Sequence, residues 1–141
     1  MPDLLDLGVW LPLSAPDHEH YPRARKYWDS EASDEMAFCR LTALALLRHL
    51  TNERILQDAA LDGSAAWRAL ETWLAIPHVT LVAEPIGVDE LLRDWATKLS
   101  LRGGAWTDAY LAAFASAGDY RLVAFDAEFR RFPGLNFLHL H

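Results

Sequence analysis

Short apolar runs alternate with longer amphipathic stretches along almost the whole of this 141-residue chain. No other feature constrains the fold as much. Strands of a parallel sheet are buried on both faces, so they read as continuous apolar runs, and the stretches between them return over the sheet as helices. The apolar runs fall at residues 3–13, 35–40, 79–83 and 121–125, with a fifth short one at 136–140. Helical patterns fall at 19–32, 41–52, 62–76, 88–102 and 107–118. The punctuation agrees with this division. Pro12 and Pro16 end the first run, Pro22 sits in a first helical turn, Ser64 stands where an N-cap is expected, and Pro77 stops the third helix. Gly103 and Gly104 break the fourth helix, and Gly118 takes the place just past the end of the fifth. The expectation is an α/β fold: a central parallel sheet of four to five strands, flanked by helices on both faces, in a single domain spanning 1–141.

Composition narrows the function classes. The chain is 52% hydrophobic, enough for a full core. It has no apolar run long enough for a membrane-spanning helix, and its start lacks the pattern of a signal peptide. The one cysteine, Cys39, excludes an internal disulfide and fits a reducing cytoplasm. No Cys/His spacing suggests structural zinc. The net charge of −7 argues against tight, non-specific nucleic-acid binding, which rests on clustered Lys and Arg. It is compatible with a nucleic-acid enzyme whose site is built from carboxylates, because bound cations reverse the local sign.

In open α/β sheets, sites lie beyond the carboxyl ends of the strands, near the point where strand order reverses. Three aspartates fall at such places. Asp6 stands among Leu4, Leu5 and Val9 in the first apolar run, where an unpaired carboxylate is costly. It is either satisfied by backbone N–H groups or an arginine, or it is a cation ligand. Asp126 follows the fourth strand and is either an N-cap for the turn after it or a ligand. Asp108, next to Thr107 in a first helical turn, either complements the helix dipole or is a ligand. Carboxylates that converge repel one another, so a divalent cation is their natural partner. Mg²⁺ and Mn²⁺ favour oxygen donors, and such a metal activates water and stabilises charge on a phosphate oxygen.

The segments "LLDLGVWLPL", "CRLTALALLRHLTN", "WTDAYLAAFA" and "VAFDAEFRRFPGL" resemble, in order, the successive blocks of PIN-domain ribonucleases, in particular VapC-type toxins of toxin–antitoxin pairs. The resemblance spans nearly the whole chain. It implies a PIN-like fold, a Mg²⁺- or Mn²⁺-dependent endoribonuclease, an RNA substrate, a cognate antitoxin that binds and inhibits it, and a homodimer. It also implies that Asp6, Asp108 and Asp126 are the catalytic, metal-holding carboxylates and that Thr107 assists them with its hydroxyl. Two departures stand out. Gly8 lies where the family often has Asn. The helix after the second strand, where many members carry a further acidic residue, offers only Ala43 and Ala45. Asp17, Glu19 and Glu84 are the acids that could substitute.

Arg40, at the end of the second strand, would reach the same edge, either to hold a scissile phosphate or to pair with one of the aspartates. The stretch "PDHEH" reads as a solvated loop, and His139 and His141 receive no role. The six tryptophans read as core or groove residues, and Arg93, Lys98 and Arg102 as a solvated face. Two rivals to the nuclease remain at this point. One is a PIN-like domain that binds RNA or protein without cutting, suggested by the missing helix acid. The other is a phosphotransfer enzyme with Asp6 as nucleophile, weakened because "DLG" lacks a second aspartate.

Overall fold

The computed structural model describes all of residues 1–141. Five strands form one all-parallel sheet: β1 (Asp3–Leu5), β2 (Met36–Phe38), β3 (Val79–Leu81), β4 (Arg121–Ala124) and β5 (Phe137–His139). Their spatial order is β3-β2-β1-β4-β5. The chain steps outward from β1 to β3 and then returns to build β4 and β5 on the other side. The order therefore reverses between β1 and β4, and that junction is where such sheets place their sites.

Seven α-helices cover the sheet: α1 (Leu7–Ser14), α2 (Tyr21–Ser30), α3 (Arg40–Leu50), α4 (Glu53–Leu56), α5 (Gly63–Leu74), α6 (Val88–Lys98) and α7 (Ala105–Gly118). The strand residues alternate between the two faces. Leu5, Met36, Phe38 and Val123 join one apolar core with Trp10, Tyr27, Leu46 and Leu70. Leu4, Ala37, Leu122 and Ala124 join another with Trp95, Leu111 and Phe114. The expected three-layer α/β arrangement is what the chain adopts. No helix is long and apolar enough to cross a membrane.

Three local expectations are corrected. The run 3–13 is not one strand. It is a three-residue strand followed by α1, in which Val9, Trp10, Leu11, Pro12 and Leu13 are all buried. A helix buried all round has no polar stripe, so its sequence is apolar without a period and imitates a strand. The cap of α5 is Asp62, whose side chain accepts from the Ala65 N–H at 2.8 Å; Ser64 lies inside the helix and accepts from Arg68. The left-handed residue after α7 is Asp119 (φ 63°, ψ 41°), while Gly118 is still helical. Gly118 is constrained for another reason: a Cβ there would collide with the Tyr120 ring.

At the amino edge of the sheet the register pairs Asp3 on β1 with Arg121 on β4. Asp3 is fully buried. It accepts from Arg121 Nε at 2.8 Å and Nη2 at 2.9 Å, from Tyr27 Oη at 2.6 Å and from the Ser33 N–H at 3.0 Å. Arg121 also donates to the Glu31 carbonyl at 2.9 Å. Burial and the Asp3 hydrogen bond hold the Tyr27 phenol well above its ordinary range, and its hydrogen bond to Asp3 holds the Arg121 guanidinium protonated. Removing one member of such a pair strands a buried charge. Arg121→Met is expected to cost about 3 kcal/mol, read as a lower urea midpoint at unchanged slope. A loss below about 1 kcal/mol would reduce the pair to the standing of a surface ion pair.

Candidate active site

Asp6 leaves the carboxyl end of β1 and occupies the N-cap position of α1, with φ −65° and ψ 157°. Its N–H still donates to Val123 on β4 at 3.0 Å, and its carbonyl receives the Val9 N–H at 2.9 Å. Its carboxylate is thus held at the strand-to-helix bend. Asp126 lies two residues beyond β4, the neighbouring strand, and is exposed. Its Oδ1 accepts from the Glu128 N–H at 2.9 Å and caps the 3-10 turn Ala127–Arg131. Asp108 sits in the first turn of α7, half-buried. The capping role open to Asp126 is real, and it leaves a second carboxylate oxygen free of that bond.

The three acids feel one another. Burial pushes the Asp6 carboxyl up to about 6; the Leu7 and Gly8 amides oppose this, and the charges of Asp108 and Asp126 reinforce it. Burial and then the Asp126 charge raise Asp108, opposed by Arg131. None of the three forms an ion pair. The site is a set of neighbouring carboxylates, none of them in an ion pair, with Arg131 as a more distant positive charge. Yet no three His, Cys, Asp or Glu side chains stand close enough to form a ready cage for a metal. Oxygen donors spread this way fit a hard, hydrated ion such as Mg²⁺, which keeps several waters and takes only one or two carboxylates directly.

Asp6 opens into a cavity of about 370 Å³. Thr107 lines it, as expected, together with Leu41, Leu44, Ala45 and Arg48 along one face of α3. Asp108 and Asp126 are not among its lining residues, so they act on Asp6 from beside the cavity. Arg40 does not reach it. Arg40 is the first residue of α3, not the end of β2, and its side chain lines a neighbouring depression. It pairs with none of the aspartates. Of the two alanines, Ala43 is fully buried in the core and Ala45 alone faces the cavity. Asp17 and Glu19 lie in a different groove, and Glu84 accepts a 2.7 Å hydrogen bond from Tyr110. None of the three substitutes the missing helix acid in this cavity.

Two features escaped sequence reasoning. Arg48 was legible as the next residue in the row 41, 44, 45, 48 on one helix face. The histidines were not. His20 stacks on Phe125 at 4.5 Å. His139 Nε2 donates to the Phe125 carbonyl at 2.9 Å while its Nδ1 accepts from Arg130 at 2.8 Å, which fixes the neutral Nε2–H tautomer. Both brace the residue just before Asp126.

With this geometry in place, comparison with known proteins is informative. The family model for the PIN domain matches residues 4–135. The chain is 36% identical over 137 residues to "Ribonuclease VapC41" of Mycobacterium tuberculosis, covering 94% of each chain, and 27% identical to "Ribonuclease VapC37" of the same species, covering 94% of this chain and 92% of that one. Among solved structures, VapBC2 from Rickettsia felis bound to a promoter DNA fragment superposes with a TM-score of 0.71 at 14% identity over the full length of both chains. Mycobacterium tuberculosis VapC20, a sarcin–ricin loop cleaving toxin, superposes with a TM-score of 0.68 at 17% identity, over 95% of this chain and 97% of that one. The chain belongs to the PIN-domain family, among its VapC-type ribonucleases.

The raised Asp6 pKa has a sign that can be tested. Its value of about 6 exceeds the ordinary 3.8, so folding favours the protonated form. This stabilisation is complete below the ordinary value and is lost as pH rises through about 6. In chelator-treated protein, Asp6→Asn is expected to flatten the fall in melting temperature between roughly pH 4 and 6.5. Parallel melting profiles for parent and variant would show that Asp6 is not the strained group.

Proposed function

We propose that this chain, acting as one domain, is the toxin of a toxin–antitoxin pair, an endoribonuclease whose Asp6, Asp108 and Asp126 hold Mg²⁺ or Mn²⁺. One observation supports the residue assignment: Asp6 and Asp126 leave the neighbouring strands β1 and β4 where the strand order reverses, with Asp108 near enough for its charge to act on Asp6, in a chain 36% identical to a ribonuclease over 94% of its length. When bound, the metal would supply charge stabilisation at the phosphate and a water made acidic enough to attack it. The chain's own residues do the rest. Asp6, fixed at the β1–α1 bend, would be the acid that holds the ion at the cavity. Thr107 offers a hydroxyl to water or to a ligating carboxylate from the cavity wall. Arg48, on the α3 side of the cavity, presents a cation that could meet a substrate phosphate.

The antitoxin is the natural occupant of an apolar groove of about 650 Å³ between the end of α1 and the α3–α4 region, lined by Leu11, Leu50, Ile55, Leu56 and Leu61. Several solved relatives are toxin–antitoxin complexes, including VapBC-1 of nontypeable Haemophilus influenzae. A homodimer would cover further exposed apolar side chains, of which Trp67 on α5 is one, 49% exposed. The lone, buried, unpaired Cys39 suits a reducing cytoplasm. The second reading, a PIN-like domain that binds without cutting, draws on the open metal site and on Ala45.

Cleavage of a total RNA pool separates the two readings, run with Mg²⁺, with Mn²⁺ and with chelator. Cutting is expected only with metal, and to fall by at least about a hundredfold in Asp6→Asn, Asp108→Asn and Asp126→Asn, because the ion supplies several kcal/mol of stabilisation. Equal cutting by all four proteins would sink the site. No cutting by folded, antitoxin-free wild type would favour the binding domain.

The two alanines give an independent test by calorimetric Mn²⁺ titration. Ala45→Glu adds a carboxylate to the cavity and is expected to tighten Mn²⁺ binding. Ala43→Glu forces a charge into the core and is expected to unfold the protein. Tighter binding from Ala43→Glu alone would reverse this assignment of the two positions.

A further inference from the structure

Beside the Asp6 cavity lies a second depression, of about 320 Å³, at the same carboxyl edge of the sheet. The two draw on neighbouring residues of the same two helices. On α3, Arg40 lines the second and Leu41 the first; on α7, Tyr110 lines the second and Leu111 the first. The α3 and α7 walls are therefore common to both depressions.

The second depression carries three kinds of group that a nucleotide uses. Arg40 is exposed and makes neither an ion pair nor a hydrogen bond, so its guanidinium is free. Tyr110 supplies an aromatic ring, set edge-on to Phe114 at 6.1 Å and tethered through its hydroxyl to Glu84. Ala83, just past the edge strand β3, has no backbone hydrogen-bond partner for its N–H or its carbonyl, although Val82 before it still donates to Phe38 at 2.8 Å. A free cation suits a phosphate, a ring suits a base, and unpaired backbone groups suit a base edge. A carboxylate of a protein partner would also answer the guanidinium, so antitoxin binding is scored beside RNA in the test.

We propose that this depression is a subsite for the nucleotide next to the scissile phosphate. Arg40 holds its phosphate, and Tyr110 and the Ala83 backbone hold its base. The proposal rests on the ribonuclease reading, which it deepens by assigning where single-stranded RNA lies beside the cut.

The test uses fluorescein-labelled A12, C12 and U12 oligoribonucleotides with full-length Asp126→Asn protein, in which cutting is suppressed, read by anisotropy across a salt series. Adding Arg40→Gln is expected to weaken binding about tenfold and to reduce the slope of log affinity against log salt by about 0.7, the share of one phosphate contact on a single strand. Tyr110→Leu is expected to weaken binding about tenfold at unchanged slope, and Tyr110→Phe, which keeps the ring, to restore it. Circular dichroism and melting curves confirm that each variant folds. Unchanged affinity and slope in Arg40→Gln and Tyr110→Leu would overturn the subsite, and if wild type still cuts RNA the ribonuclease reading survives. Loss of Arg40- and Tyr110-dependent binding to the antitoxin, with RNA binding intact, would also overturn it and make the depression a protein groove. Conversely, variant-sensitive RNA binding by a wild type that never cuts would keep the subsite and remove the nuclease. Absence of RNA binding by the parent protein would overturn the subsite outright.

Discussion

The parallel pairing of β1 with β4 is the interaction on which the rest depends. In that register Asp3 lies beside Arg121, Leu4 beside Leu122 and Leu5 beside Val123. Continuing past the last pair, the same two strands deliver Asp6 and Asp126 to the opposite edge. One ladder of three pairs therefore has a charge-compensated carboxylate at its amino end and uncompensated ones at its carboxyl end. The amino end behaves as structure: Asp3 is enclosed and answered by an arginine, a tyrosine and a backbone amide. The carboxyl end behaves as a site, because repulsion there is left for something outside the chain to relieve.

This contrast explains which parts of the site were legible in the sequence. The carboxylate of Asp6 within an apolar run was read as satisfied by backbone N–H groups or an arginine, or as a cation ligand. The arginine partner exists, but it belongs to Asp3, three residues earlier, at a position that looked like the polar start of a strand. Strand register decides which carboxylate meets Arg121, and register between segments 118 positions apart is not written in local composition. The alternation that defines the sheet, by contrast, is local, and it located all five strands. Boundaries failed where burial erased periodicity, as in α1. They failed again where several capping residues sat side by side, as with Asp62 and Ser64. Arg40 was placed on the right edge of the sheet but in the wrong depression, because the turn from β2 into α3 begins one residue earlier than the apolar pattern suggests.

The acids also carry a folding cost that the protein accepts. Burial, reinforced by neighbouring carboxylate charge, raises Asp6 and Asp108 and so destabilises the metal-free state at neutral pH. A bound divalent cation would reverse the sign of that interaction, so metal binding and stability are coupled through the same three side chains. The braces on Phe125 fit this picture. His20 and His139 come from opposite ends of the chain and hold the residue before Asp126, which resists the outward movement that repulsion would otherwise favour. Asp126 itself is tied by its cap bond.

The wall of the Asp6 cavity suggests how such a site works with fewer acids than many of its family. On α3 the cavity-facing row reads Leu41, Leu44, Ala45, Arg48. A glutamate in place of Ala45 would add negative charge beside Asp6 and demand more from the cation. Alanine there leaves the wall short and apolar, and Arg48, one turn on, contributes the opposite charge. The cavity is thus lined by one carboxylate, Asp6, and one guanidinium, Arg48, in place of a cluster of acids. An RNA phosphate needs both: a cation held by the acids on one side and a fixed positive charge on the other. Under the proposed function, Arg48 on the cavity wall would take a share of the phosphate charge that the ion would otherwise carry alone.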